Sequence, residues 1–192
     1  MKVTKTDPTA AILAAAKHCY LEEGIDATGM KEVAARADVA RSTVYRYFPD
    51  RDVLLVATIK SEMEILNGFI LQRMARYSEP ADLVVEGLIL AIREIPRRPL
   101  LCAVFASPQD SRARRVVWSS DVIVRFGEEL MDHVIRPASE AGLLQDAVPP
   151  EVLVEWVYRL LLSFLTLPSN WVKTQSQLRS TLHALLVPVL LK

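Results

Sequence analysis

The chain has 192 residues, 51% of them hydrophobic, and its 23 Lys and Arg balance 23 Asp and Glu, so the formal net charge is zero. That length suits one sizeable core, or a small domain joined to a larger one, and neutrality argues against a protein that coats nucleic acid nonspecifically. Cys19 and Cys102 lie far apart without a CxxC partner, which indicates neither a disulfide framework nor a zinc site and fits a reduced, cytoplasmic protein.

Six glycines and a regular apolar periodicity predict an all-helical fold. No segment reaches the roughly 18 apolar residues of a membrane span. The first helix is expected to open at Asp7-Pro8 and close at Glu23-Gly24, with Ile12, Ala16, Cys19 and Tyr20 on one stripe. Lys17, His18, Glu22 and Glu23 follow its Ala-rich start without a cleavage site, so it is read as a helix and not a signal peptide. Gly24 to Lys31 approaches a phosphate-binding loop, but the lysine falls one residue late, no Ser or Thr follows it and no strand precedes it; nucleotide binding is set aside.

The stretch from Thr28 to Val53 organises the rest. Val33, Ala34 and Ala37 recur at helical spacing, Asp38-Val39-Ala40 interrupts them, and Val44 with Phe48 restarts the pattern on a second helix. This is a helix-turn-helix. At about 100° per residue, Val44 and Phe48 point inward while Ser42, Thr43 and Arg46 lie opposite, flanked by Tyr45 and Tyr47. Arg, Ser and Thr can reach base edges, and Tyr hydroxyls and backbone N–H groups can reach phosphates. Lys31, Arg36, Arg41, Arg46 and Arg51 outnumber Glu32, Asp38 and Asp50 here, so a local positive excess sits on the motif. The expected DNA-binding residues are Thr28, Lys31, Arg41, Ser42, Thr43, Tyr45, Arg46, Tyr47 and Arg51.

Through MKEVAARADVARSTVYRYFPDRDVLL the chain resembles the TetR family of one-component transcriptional regulators. The matching features are Val33-Ala34, the turn at Ala37 to Ala40, Thr43-Val44-Tyr45-Arg46-Tyr47-Phe48, and Arg51 opening a long helix. Three positions depart from the family pattern. Gly29 stands where Ser or Thr usually opens the first helix of the motif, Asp38 where the turn usually has Gly, and Ala40 where a Ser commonly caps the recognition helix. Asp tolerates the left-handed conformation better than most residues, so the turn survives, whereas Ala40 removes a hydroxyl–phosphate contact.

The resemblance covers the first quarter of the chain specifically. It implies a helix-turn-helix DNA-binding domain at 1–50 and a ligand-binding and dimerisation domain at 51–192, about nine helices in all. It also implies a homodimer built on the last two long helices, double-stranded operator DNA as partner, a small-molecule effector, and repression rather than activation.

Downstream, Asp50 is expected to cap a helix from Arg51 to about Tyr77 that links the two domains. Further helices are predicted from Glu79-Pro80 to Ile95 and, past the Arg97-Arg98-Pro99 corner, to Phe105. A loop at 107–111 precedes a long segment kinked near Pro137, and two apolar helices follow at 150–167 and 175–191. Leu160, Phe164, Leu178, Leu182, Leu185 and Val189 are the expected dimer contacts, with an internal core as the competing role. Met63, Leu66, Phe69, Ile70, Phe105, Trp118, Phe126 and Trp156 are candidates to line a largely apolar effector cavity, against ordinary core packing for any one of them. Arg97, Arg98, Arg112, Arg114 and Arg115 form a basic region that could meet an anionic group or solvent. His18, His133 and His183 sit on separate helices without metal-ligand spacing, and no GxSxG, HExxH or dinucleotide motif occurs, so no catalytic residue, metal or cofactor is expected. The competing functional classes are a helical enzyme, which would need paired titratable groups in a cleft, and a dimeric adaptor, against which the exposed Arg41, Arg46 and Arg51 argue.

Overall fold

The computed structural model describes residues 7–106, 112–120, 122–145 and 149–192, apart from a few side chains between 122 and 151 that include Phe126. The expected 107–111 loop lies outside them. The described residues form α1 (Thr9–Glu22), α2 (Met30–Arg36), α3 (Arg41–Tyr47), α4 (Arg51–Met74), α5 (Pro80–Glu94), a 3-10 turn (Ile95–Arg97), α6 (Pro99–Phe105), α7 (Arg112–Trp118), α8 (Val122–Glu140), α9 (Pro150–Thr166), α10 (Gln175–Leu185) and α11 (Val187–Leu190). None is long and apolar enough to cross a membrane.

The count exceeds nine for local reasons. The segment expected to run from 112 to 141 with a kink near Pro137 is two helices, α7 and α8, and Pro137 stands in the last turn of α8, which ends at Glu140. The last helix is interrupted ahead of Pro188, which occupies the first turn of α11. A bridge between Leu144 and Leu191, with Lys192 N–H donating to the Leu143 carbonyl at 2.7 Å, ties the end of the chain to the residues after α8.

The N-terminal helices assemble on a small core. Ile12, Ala16, Cys19 and Tyr20 of α1 bury their stripe with Val33 and Ala34 of α2 and Val44 and Phe48 at the end of α3. Burial pushes the Cys19 thiol up and the Tyr20 phenol to about 12, so neither ionises near neutrality. The α2–α3 turn shows how the sequence folds locally. Asp38 adopts φ +52°, its N–H donates to the Ala35 carbonyl, and Val39 N–H donates to the Ala34 carbonyl at 3.1 Å. Two last-turn carbonyls of α2 are thereby satisfied, and half-buried Val39 packs on the core. Asp replaces the usual Gly at a modest cost in the left-handed region.

α4 joins this bundle to the remaining helices. Asp50 caps it, one carboxylate oxygen accepting from Asp52 and Val53 N–H at 2.8 Å each. Leu54, Leu55, Ile59, Met63, Leu66 and Ile70 recur on its buried face, and at 1.5 Å per residue it extends about 36 Å. α1 is tied to it by Lys17, whose ammonium donates to buried Glu62 at 2.7 Å. α5 packs against α4, α8 and α10, and α9 rests on α5 and α8.

Glu86 of α5, buried beside that packing, receives both arms of Arg179 of α10. The guanidinium holds the Glu86 carboxyl below its usual range. A carboxylate depressed in the folded state stabilises above its unfolded pKa, about 4.3, and loses that contribution as pH falls through the folded value. Wild type should therefore be more heat-stable than Glu86→Gln at pH 7, with the gap in Tm closing below about pH 4. An equal gap at pH 7 and pH 3 would show that the ion pair is not what holds α10 to α5.

Candidate nucleic-acid interface and effector cavity

α3 presents one continuous polar face. Val44 and Phe48 are buried, Ser42 and Arg46 are exposed, and Thr43 is half-buried. Tyr45 and Tyr47 stand out of the surface as pairs with arginine. Arg41 donates to the Tyr45 hydroxyl at 3.1 Å and lies 5.3 Å from the ring centroid, and the Arg46 guanidinium sits 5.1 Å over Tyr47. Stacking restrains these cations while leaving guanidinium N–H groups free to turn toward a duplex. Lys31 is exposed on α2.

Two expected contacts are placed elsewhere. Thr28 is only 2% exposed, and its hydroxyl donates to the Gly24 carbonyl at 2.9 Å, so it closes the α1–α2 turn instead of facing a phosphate. Arg51 is half-buried and donates to the carbonyls of Ile25 at 3.3 Å and Asp26 at 2.7 Å, which occupies its guanidinium within the protein. The expected exposure of Arg51 is corrected by this geometry. Its removal now bears on the turn's rigidity before it bears on DNA.

An internal cavity of about 10 Å³ lies among Met63 and Leu66 of α4, Ile95, Leu101 and Phe105, and Tyr158 and Leu161 of α9. Of the expected lining residues it includes Met63, Leu66 and Phe105. Ile70 is core beyond it, half-buried Phe69 is covered by the Arg73 guanidinium at 4.8 Å, and the Phe126 side chain is outside the described residues. Trp118 and Trp156 are more than one-third exposed and do not line it. On α9 the inward phase runs Leu153, Val157, Leu161, which turns Trp156 out and brings Tyr158 in. Burial raises the Tyr158 phenol, which has no hydrogen-bond partner among the described residues and leans on the Trp118 ring at 5.7 Å. The arginines divide: Arg97 pairs with Glu94, Arg112 with Asp52, and Arg114 lies 5.3 Å over the Trp118 ring.

The expected dimer contacts also divide. Leu185 is 67% exposed and Val189 is exposed, while Leu160 and Phe164 are half-buried. Leu178 and Leu182 belong to the protomer's own core and are corrected accordingly, because α10 turns that side toward α5. Val152, Trp156, Leu167 and Trp171 add to the exposed apolar surface of the same C-terminal region.

Among the described residues no group of three His, Cys, Asp or Glu side chains could hold a metal ion.

A family model described as bacterial regulatory proteins, tetR family, matches residues 12–58, from α1 into the first turns of α4. An uncharacterized HTH-type transcriptional regulator of Mycobacterium tuberculosis is 26% identical over 178 residues, which is 93% of this chain and 83% of the relative. An HTH-type transcriptional repressor of the same species is 32% identical over 88 residues, 46% of this chain and 44% of the relative. Among solved structures, RolR in complex with resorcinol superposes with a TM-score of 0.70 at 18% identity, covering 95% of this chain and 87% of that one, a likeness of fold.

Proposed function

We infer that this chain, which belongs to the TetR family of bacterial regulatory proteins, is a homodimeric, cytoplasmic repressor that reads a palindromic operator and is released from it by a small, largely apolar molecule. The observation that carries this reading is the face of α3, where Arg41, Ser42, Thr43, Tyr45, Arg46 and Tyr47 project from a helix locked by Val44 and Phe48. A helix so anchored can enter the major groove as a rigid reader. We assign residues 1–50 to DNA reading and 51–192 to effector binding and dimerisation, with α4 shared mechanically between them. Repression accords with the name of the Mycobacterium tuberculosis repressor, and a small effector with the resorcinol bound by RolR. Selection of bound fragments from random duplex DNA tests the reading. An inverted repeat should emerge, with half-site centres about 34–36 Å or a multiple apart.

The effector half follows from a size mismatch. Small-molecule pockets occupy about 300–1,000 Å³, whereas the cavity beside Met63, Leu66 and Tyr158 is about 10 Å³. An effector seated beside Met63, Leu66 and Tyr158 has to part α4, α6 and α9, and that parting couples its occupancy to the pose of α3. Leu66→Trp, which drives an indole into this space, should either mimic the effector, weakening operator binding about 5- to 150-fold, or block its action, while leaving the dimer intact. Operator affinity with and without an inducer found by thermal-shift screening measures this. A variant that responds as wild type does would place the pocket away from α4.

A further inference from the structure

We propose that Arg112 is the positioning residue through which the effector-binding half of the chain sets the pose of the helix-turn-helix, an inference that rests on the regulator reading above. Arg112 is the first residue of α7. Its guanidinium pairs with Asp52 in the first turn of α4 and reaches Asp26, in the α1–α2 turn, at 4.0 Å. Arg51 holds the same turn through the carbonyls of Ile25 and Asp26. Two arginines from two helices thus clasp one turn, and α2, the first helix of the motif, begins just beyond it at Met30.

The opposite end of α7 touches a residue that lines the cavity. Trp118, its last residue, meets Tyr158 with ring centroids 5.7 Å apart and the planes tilted by 54°, and Tyr158 lines the cavity. Between the two ends, buried Ala113 and Val117 seat α7 against α4 and α6. A helix of two turns does not bend appreciably, so a displacement of Tyr158 transmitted to Trp118 moves Arg112 relative to Asp26 and Asp52. The contacts form a continuous chain from cavity to turn: Tyr158, Trp118, α7, Arg112, Asp26. It differs from coupling through the middle of α4, because it acts on the α1–α2 turn directly. The clasp is also easy to break. The side chains of Arg112 and Asp52 are 39% and 45% exposed, and ion pairs so exposed contribute little individually.

The test uses the full-length chain and the duplex selected above. Arg112→Ala and Asp52→Asn should each weaken operator binding about 2- to 5-fold, the size expected of an exposed pair. The double variant should be no weaker than either single one, since both remove the same contact. Arg112→Lys should recover part of the loss. Amide exchange at residues 24–29 should quicken in Arg112→Ala while exchange in α9 and α10 stays as in wild type. The salt dependence of binding should keep its slope, because no phosphate contact is lost. Unchanged affinity and exchange in Arg112→Ala, additive losses in the double variant, or tighter binding by Asp52→Asn would each overturn the clasp. A reduced salt slope would make Arg112 a phosphate contact instead, which also overturns it. If wild type selects no duplex at all, the regulator reading fails, and exchange at 24–29 still reports whether the clasp exists.

Discussion

Leu185→Glu is expected to dissociate the dimer and abolish tight operator binding while leaving the protomer folded. Leu185 ends α10 with 67% of its surface exposed, so a carboxylate there stays in water in the isolated chain and is desolvated only when a partner covers it. Leu182, one turn earlier, is 3% exposed inside the protomer. Leu182→Glu should therefore lower the Tm severely, whatever the oligomeric state, because it buries an unpaired charge. The contrast between neighbours on one helix separates interface from core. A monomer grips a single half-site, so its affinity should fall into the nonspecific range of about 10⁻⁴ to 10⁻⁶ M, against about 10⁻⁸ to 10⁻¹¹ M for specific binding by a dimer. Sedimentation velocity and operator titration measure both quantities. An intact Leu185→Glu dimer with wild-type affinity would move the interface away from the end of α10.

Thr43→Ala and Arg46→Ala should lower specific affinity by about 1 to 3 kcal/mol each, with little effect on random DNA, because base contacts specify while phosphate contacts position. Both residues lie opposite the buried Val44 and Phe48, at the part of α3 best placed to face base edges. Tyr45→Phe serves as the contrast. It removes the hydroxyl that accepts from Arg41, so it should loosen a backbone-positioning group and weaken binding to all sequences alike. Competition titrations of each variant on the selected duplex and on random duplex give the two losses. Equal losses on both DNAs for Thr43→Ala and Arg46→Ala would remove them from base reading.

What the sequence disclosed was mostly local. The α2–α3 turn, the Asp50 cap and the inward pair Val44 and Phe48 depend on residues within a few positions of one another, so periodicity and turn chemistry place them. Tertiary choices were harder to read. Thr28 has the chemistry of a phosphate contact, yet its hydroxyl is used by Gly24. Arg51 looked exposed because nothing in its own helix covers it; the carbonyls that bind it come from the α1–α2 turn. On α9 both Trp156 and Tyr158 are large and aromatic, and the packing of α9 on α5, α6 and α8 decides which faces the cavity. On α10, Leu178 and Leu182 were indistinguishable from Leu185 by hydropathy, whereas contact with α5 separates them. A wide apolar face states how much surface must be covered, not whether the same chain or a second copy covers it.

The most direct measurement of the central claim is the ratio of affinities for the selected inverted repeat and for a scrambled duplex of the same base composition, taken in the same buffer at physiological salt. Sequence-specific reading by paired α3 helices predicts a ratio of about 10³ or more, with two chains bound per selected duplex. A ratio near one would contradict it, leaving a helix-turn-helix that holds DNA through charge alone or does not hold it at all.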